Sequence, residues 1–334
     1  MLQGAPTDMD EGGDCAAAPA VSVLIAVRNC ELYLDQAIES LAAQAFGDFE
    51  IVVVDNGSRD GTGAMLARWA RREPRLRLFS LDRPGLSESL NLAAAMARAP
   101  LLARLDADDI ALPNRLAVQV AAMAERPSLG LLGSAVELID DQGQRIGALN
   151  RPLGDRQLRR FLRTGCGFVH SSVMMRREAF RAAGGYRRGL NVAEDYDLWL
   201  RMAEVTELAN LPDRLVRYRI HKASATARRP IRQAIAIACV AAAGEARRRG
   251  APEPFARGIP QLRRALPLLG LTPASFRRRL RLTIFRLVLS HRYQALPLPA
   301  GLKAGLRSAA IRLGLRPLYV AWLRSLLAVA RIRA

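Results

Sequence analysis

The chain has 334 residues, 50% hydrophobic and 24% charged, enough to bury one large core or two smaller ones, which excludes a disordered polypeptide. Its formal net charge of +19 is unevenly spread: residues 227–334 hold 22 Lys/Arg against Glu245 and Glu253 alone, whereas residues 1–226 come to −1. The four cysteines, at positions 15, 30, 166 and 239, lack the short paired spacings of a zinc site or disulfide framework and read as reduced thiols.

Residues 1–19 carry Asp8, Asp10, Glu11 and Asp14 and no basic side chain, the wrong charge for a secretory signal, and are read as a flexible lead. The apolar, β-branched run at 21–27 predicts a strand buried on both faces, hence a parallel sheet. Leu34, Ile38, Leu41 and Ala45 recur at helical spacing over 31–45, and Ile51-Val52-Val53-Val54 predicts a second buried strand, completing a βαβ unit. The turn-rich segment 56–62 leads to an expected helix over 64–72, a strand over 76–79, a helix over 87–98 and a strand over 101–105. This alternation predicts an α/β fold with an open, doubly wound, mostly parallel sheet. Beyond it come a helix from Pro113 to about Glu125, a strand over 130–138, a hairpin turn at 140–143, a strand over 168–175, a short helix over 195–203 and a strand over 214–220. From Pro230 the pattern is helical and punctuated by prolines, with a domain boundary expected near 227. The longest uncharged stretch of this basic region, 233–244, is shorter than the roughly 20 apolar residues that span a bilayer, so no transmembrane helix is expected.

In open α/β sheets ligands gather at the carboxyl ends of the strands. Asp106, Asp108 and Asp109 follow such a strand directly. Three carboxylates in four residues repel one another, so either a bound cation or a strong hydrogen-bond network would account for them, and a turn that caps the next helix is the plainer alternative. Hard oxygen ligands favour Mg2+ or Mn2+. Asp55 ends the second strand, where it could accept hydrogen bonds from a nucleobase or simply form the turn. Glu194-Asp195 stands at a helix start, which favours an ionised carboxylate and equally suits capping. Of the histidines, His221 follows a strand and is the better candidate than His170 to approach these groups.

In their order and spacing these features resemble glycosyltransferase family 2, inverting enzymes of the Rossmann-like GT-A fold. The resemblance covers about residues 20–226 and rests on residues 21–29, 54–62, Asn91, Arg104-Leu105-Asp106-Ala107-Asp108-Asp109, Gly184-Gly185-Tyr186 and 194–199. It implies that Asp55 contacts the nucleotide base, that Asp106-Ala107-Asp108 is the Asp-x-Asp motif with Asp108 on a divalent cation and Asp106 on the ribose or the metal shell, and that Asp195 is the general base with Glu194 beside it. Asp109 is left to cap the following segment. His221 matches a position near the diphosphate and joins Asp108 and Asp106 as a candidate metal ligand. Where family members often have Pro-x-Tyr-Asn, this chain has Ala26-Val27-Arg28-Asn29; Arg28, through its planar guanidinium, and Asn29 are the donor-binding candidates there. The implied substrates are a nucleotide-sugar donor, with a UDP-sugar favoured, and a cell-surface glycan or lipid-linked acceptor of polysaccharide or lipopolysaccharide biosynthesis. The Gln-x-x-Arg-Trp motif of processive synthases is absent, which favours single addition.

The arginine clusters at 247–249, 263–264 and 277–281, interleaved with apolar groups, suit an anionic membrane surface, and hence an enzyme of the cytoplasm peripheral to the inner face of the cell membrane; a solvated appendage is the alternative. Nucleic acid would also match the charge, but few aromatics and no recognisable module argue against it. A nucleotidyltransferase remains the rival enzyme reading, though residues 28–31 supply no Gly-rich phosphate loop.

Overall fold

A computed structural model describes residues 18–81, 85–163, 165–221 and 230–251. In chain order its elements are β1 (Val21–Val27), α1 (Leu34–Ala42), β2 (Phe49–Asp55), α2 (Thr62–Arg72), β3 (Leu76–Ser80), α3 (Leu86–Met96), β4 (Leu101–Arg104), β5 (Ile110–Ala111), α4 (Arg115–Glu125), β6 (Leu129–Ile139), β7 (Arg145–Leu149), α5 (Asp155–Leu162), β8 (Met174–Arg176), α6 (Arg177–Ala182), α7 (Glu194–Val205), β9 (Glu207–Arg219) and α8 (Pro230–Arg248). The 1–17 lead and the arginine clusters beyond residue 251 lie outside the described residues.

The strands form one sheet in the order β3-β2-β1-β4-β8-β6-β9-β5, with β7 paired to β6. The first four run parallel; β1 and β2 are apolar and covered on both faces, while β3, with alternating burial, forms the edge. Side chains alternate across the sheet. Val21, Val23 and Ile25 enter one core with Leu34 and Ile38 of α1, Leu66 of α2 and Leu116 of α4. Leu24, Val52 and Val54 enter a second core with Leu90 of α3 and Tyr196, Leu198 and Trp199 of α7. Each fully buried Val, Leu or Ile contributes about 1.5–3 kcal/mol, so helices on both faces are what the strand composition demands. The result is the mixed α/β, GT-A-like fold expected from the sequence, with a helix leading into the basic C-terminal region.

Two local departures have physical causes. The strand expected over 168–175 is instead a 3-10 turn at His170–Ser172 followed by the short β8, because the Ser172 hydroxyl donates to Val169 O at 2.9 Å and the Ser171 hydroxyl is drawn to Asp106. The last strand starts earlier than the expected 214, at Glu207: Ser134 pairs Leu211 and Ala135 pairs Arg214, so Pro212 and Asp213 are passed over as a bulge. The hairpin at 140–143 forms as expected, with Asp140 Oδ1 accepting the N–H groups of Gln142 and Gln144 at 3.0 and 2.8 Å.

α8 packs on the second core. Ala236, Val240 and Ala241 share it with Trp199, Arg247 pairs Glu204 of α7 at 3.0 Å, and Gly244 lies so close that an added Cβ would stand 3.1 Å from Leu200 Cδ1. Among the described residues no helix is long and apolar enough to cross a membrane.

Candidate active site

Because β2, β1 and β4 are neighbours and parallel, their carboxyl ends bring Asp55, Arg28-Asn29 and Asp106 to one edge of the sheet, with Val27 opposite Asp55 and Leu24 opposite Arg104. Asp55 is half-buried. Its Oδ1 accepts the N–H and the hydroxyl of Ser58 at 3.0 and 2.7 Å, the turn that the sequence offers as an alternative role. Asn29 adopts a left-handed backbone (φ 51°) and stitches the first loop to the second: its N–H donates to Ser58 Oγ at 3.1 Å, and its Oδ1 accepts Arg59 N–H at 2.8 Å. Arg28 is exposed just past β1.

The acidic cluster divides into three environments. Asp106 is held by Arg104, whose guanidinium donates to Oδ1, and by the Ser171 hydroxyl, which donates to Oδ2 at 2.7 Å. Asp108 meets His221, with Nε2 at 2.9 Å from Oδ2. Asp109 is buried and accepts the backbone N–H of Arg219 at 2.7 Å, so it ties the loop to β9 instead of capping α4. Burial first, then the charges of Asp108 and Asp106, push the Asp109 carboxyl well above the usual carboxylate range.

Two buried arginines hold this loop. Arg104, fully enclosed, also donates to Leu24 O and Leu105 O, and Arg115 of α4 donates to Arg104 O at 2.7 Å. Burial, and then the Arg104 charge, push Arg115 down to about 9. Arg219 donates to the backbone oxygens of Asp108, Asp140 and Asp141 at 2.8, 3.1 and 3.2 Å and to Gln36 Oε1 at 2.7 Å, with its guanidinium 4.5 Å over the Tyr33 ring. Tyr33 meets the His221 ring edge-on at 5.0 Å, which fixes the plane of the imidazole.

Glu194-Asp195 opens α7, immediately after Ala193 in a left-handed conformation (φ 60°). An alanine there costs about 1–2 kcal/mol, strain that the surroundings must sustain. The pair is differentiated by environment. Glu194 is buried, and burial first, then the charges of Asp195 and Asp106, push its carboxyl up to about 8 despite the helix N-terminus. Asp195 is partly exposed; its Oδ1 accepts Tyr196 N–H at 2.7 Å, and the Cys166 thiol stands 3.7 Å from Oδ2. His170 is enclosed and bonded through Nε2 to the Tyr186 hydroxyl at 2.8 Å, a packed polar residue as its isolation in the sequence suggests.

A divalent cation can be tested against these groups. Cis ligands of an octahedral ion at about 2.1 Å lie about 3.0 Å apart. Asp108 Oδ2 and His221 Nε2, at 2.9 Å, match that spacing. Asp106, compensated by Arg104, is less suited to a second positive neighbour. Among the described residues no three or more His, Cys, Asp and Glu side chains converge as a protein-only metal cage, so an ion at this pair would need further ligands such as phosphate oxygens and water. Arg104, Ser171 and Arg219 were not singled out as site residues from sequence. An arginine ending the apolar strand Leu101–Arg104, two residues before Asp106, is the signal that could mark the first; Ser171 carries none.

The structure thus sets strand-end carboxylates on a doubly wound sheet, with Glu194-Asp195 at the start of α7. Residues 22–184 match the family model described as glycosyl transferase family 2. The O-antigen biosynthesis glycosyltransferase WbnJ of Escherichia coli is 32% identical over 208 residues, covering 61% of this chain and 81% of the relative. The amylovoran biosynthesis glycosyltransferase AmsE of Erwinia amylovora is 36% identical over 204 residues, covering 59% and 75%. The chain belongs to glycosyltransferase family 2 and is a glycosyltransferase. Among solved structures, S. aureus TarS in complex with UDP-GlcNAc superposes with a TM-score of 0.56 at 18% identity over 82% of this chain and 77% of that one. The mannosyltransferase PcManGT from Pyrobaculum calidifontis, in complex with GDP-Man and Mn2+, superposes with 0.55 at 21% identity over 94% and 87%. These two share the fold.

Proposed function

We propose that the protein transfers a single sugar, with inversion, from a nucleotide-sugar donor to a glycan or lipid-linked acceptor of cell-surface polysaccharide biosynthesis, with Asp195 as the general base. The observation that carries this reading is the division of labour among the acids: Asp108 faces His221, Asp106 is neutralised by Arg104, and Asp195 is left partly exposed beside a buried Glu194. Inversion needs one carboxylate to take the proton of the acceptor hydroxyl as it attacks the anomeric carbon, typically about 10²–10⁴-fold in rate. Asp195 has the exposure for that step. Burial pushes the Glu194 carboxyl toward its neutral form, which lessens the negative charge beside Asp195. Asp55 keeps Oδ2 for the imide edge of a base while Ser58 holds Oδ1, a geometry that suits the uracil of a UDP-sugar. Arg28 and Asn29 border the same end of the sheet. Asp108 and His221 would hold Mg2+ or Mn2+, which when bound supplies Lewis-acid stabilisation of the departing diphosphate.

The relatives named for O-antigen and amylovoran biosynthesis support a polysaccharide acceptor. Neighbours of the same fold hold UDP-GlcNAc in one case and GDP-Man in the other, so the nucleotide is decided by experiment. A panel of UDP-, GDP- and dTDP-sugars, with and without Mn2+, should give one donor that raises the melting temperature and releases its nucleoside diphosphate. No response to any sugar nucleotide would overturn the proposal. The basic C-terminal region is assigned to an anionic membrane surface on charge alone, and vesicle co-sedimentation in low and high salt tests it.

A further inference from the structure

The segment leading to Glu194-Asp195 has no regular structure and contains four left-handed residues, Gly184, Gly185, Gly189 and Ala193 (φ 78°, 64°, 75° and 60°). Part of this path is tied locally, by Gly185 N–H to Phe180 O at 3.0 Å, Leu190 N–H to Arg187 O at 3.2 Å and the Arg187–Asp197 ion pair. The most extensive set of side-chain contacts to it comes from the first two turns of α3. Asn91 makes a two-point contact with the Tyr186 backbone, its Nδ2 donating to Tyr186 O at 2.7 Å and its Oδ1 accepting Tyr186 N–H at 2.9 Å. The Ser87 hydroxyl donates to Leu190 O, Glu88 Oε1 accepts Gly189 N–H at 2.8 Å, and Leu86 N–H donates to Asn191 Oδ1 at 2.9 Å. At Gly185 the approach is so close that an added Cβ would lie 2.9 Å from Asn91 Oδ1. The far end of the clamp is fixed as well, since Gly85 N–H, at the start of α3, donates to Asn56 Oδ1 at 2.7 Å, and Asn56 directly follows Asp55.

We infer that α3 is a positioning element for the general base, with Asn91 and Ser87 as the positioning residues that hold the 184–193 loop in the path that delivers Asp195. The inference rests on the reading of Asp195 as the base. Neither residue touches the Asp108–His221 pair or Asp55, so its loss should act on turnover and leave the donor site intact. A misplacement of the order of 1 Å at a reacting group can cost about 100-fold in rate.

The test uses the full chain, the donor selected by the panel above, and four variants: Asn91→Leu, Ser87→Ala, Asp195→Asn and Trp69→Phe. Trp69 bonds Asp35 between α1 and α2, away from the loop, and controls for stability alone. Asn91→Leu should lower kcat about 10- to 100-fold, and Ser87→Ala about tenfold, with donor KM within twofold and with nucleoside diphosphate still bound; Trp69→Phe should lower the melting temperature without changing kcat. If Asn91→Leu does not fold, the Ser87→Ala result decides. Wild-type kcat in the α3 variants, or a raised donor KM with kcat unchanged, overturns the inference while Asp195→Asn remains inactive. Normal transfer by Asp195→Asn overturns the base reading and the inference with it.

Discussion

Asp108 and His221, 113 residues apart in the chain, bring Oδ2 and Nε2 to 2.9 Å. The contact closes the sheet edge: one residue follows β4, the other follows β9, and Arg219 locks the two loops together from beneath. Replacing Asp108 with Ala should abolish the Mn2+-dependent part of nucleoside-diphosphate binding, and His221→Ala should weaken it roughly 10- to 100-fold, the range seen when a metal site loses a supporting group. Calorimetric titration of UDP with Mn2+ and with EDTA measures both. Equal binding with and without Mn2+ in the unaltered protein would refute the assignment.

Glu194 gives a pH signature. Its carboxyl is held at about 8 in the folded state, above the ordinary value of 4.5, so the folded protein binds the extra proton and stability falls as pH rises through that window. The variant Glu194→Gln keeps the neutral shape. It should melt at the same temperature as the parent at pH 4 and at a higher one at pH 8, and at pH 7 its kcat should stay within about tenfold, whereas Asp195→Asn should lose 10²-fold or more. Melting curves at the two pH values, with turnover at pH 7, separate the roles of the two acids.

Asp55→Ala removes the acceptor proposed for the base and the partner of Ser58 together. Donor KM should rise at least tenfold with kcat little changed, since the contact is made equally before and during reaction. Initial rates over a range of donor concentration read the split. A rise in kcat and KM together would point to a looser loop and no base contact.

Arg219→Lys tests the buried support of the loop. Lysine cannot span four oxygen acceptors nor stack over Tyr33. Each hydrogen bond lost from the charged group costs about 1.5–3 kcal/mol, so the change should lower the denaturation midpoint without altering its slope. Urea unfolding followed by far-UV circular dichroism suffices.

The sequence was most legible where one physical effect dominates. β1 and β2 are apolar on both faces and could be little else, and α1 repeats leucine and isoleucine at the helical period. β7, α5 and α6 were not legible: α5 reads Asp-Arg-Gln-Leu-Arg-Arg-Phe-Leu, with only Leu158 and Leu162 buried, too few apolar positions to establish a period. Residues 168–175 misled because Phe168, Val169, Val173, Met174 and Met175 are all enclosed and read as a strand, while the hydroxyls between them choose a turn. The candidate site divides in the same way. Asp55, Asp106, Asp108, Glu194-Asp195 and His221 are visible as acids and a histidine at strand or helix ends. Of their partners, only Arg104 leaves a local trace, two residues before Asp106; Ser171 and Arg219 owe their importance to contacts across the fold that no local pattern records.

The packing of α8 bears on where this polypeptide can be cut. The charge pattern suggests ending a shortened version at about residue 227, yet Ala236, Val240 and Ala241 roof the core that contains Trp199, on the helix that begins with Glu194. Such a truncation would strip apolar cover from the helix carrying the acids and invite aggregation before any assay. A version ending after Arg248 keeps the roof and removes most of the arginine-rich remainder, so the two halves of the charge map are best separated one helix later than composition alone would place the knife.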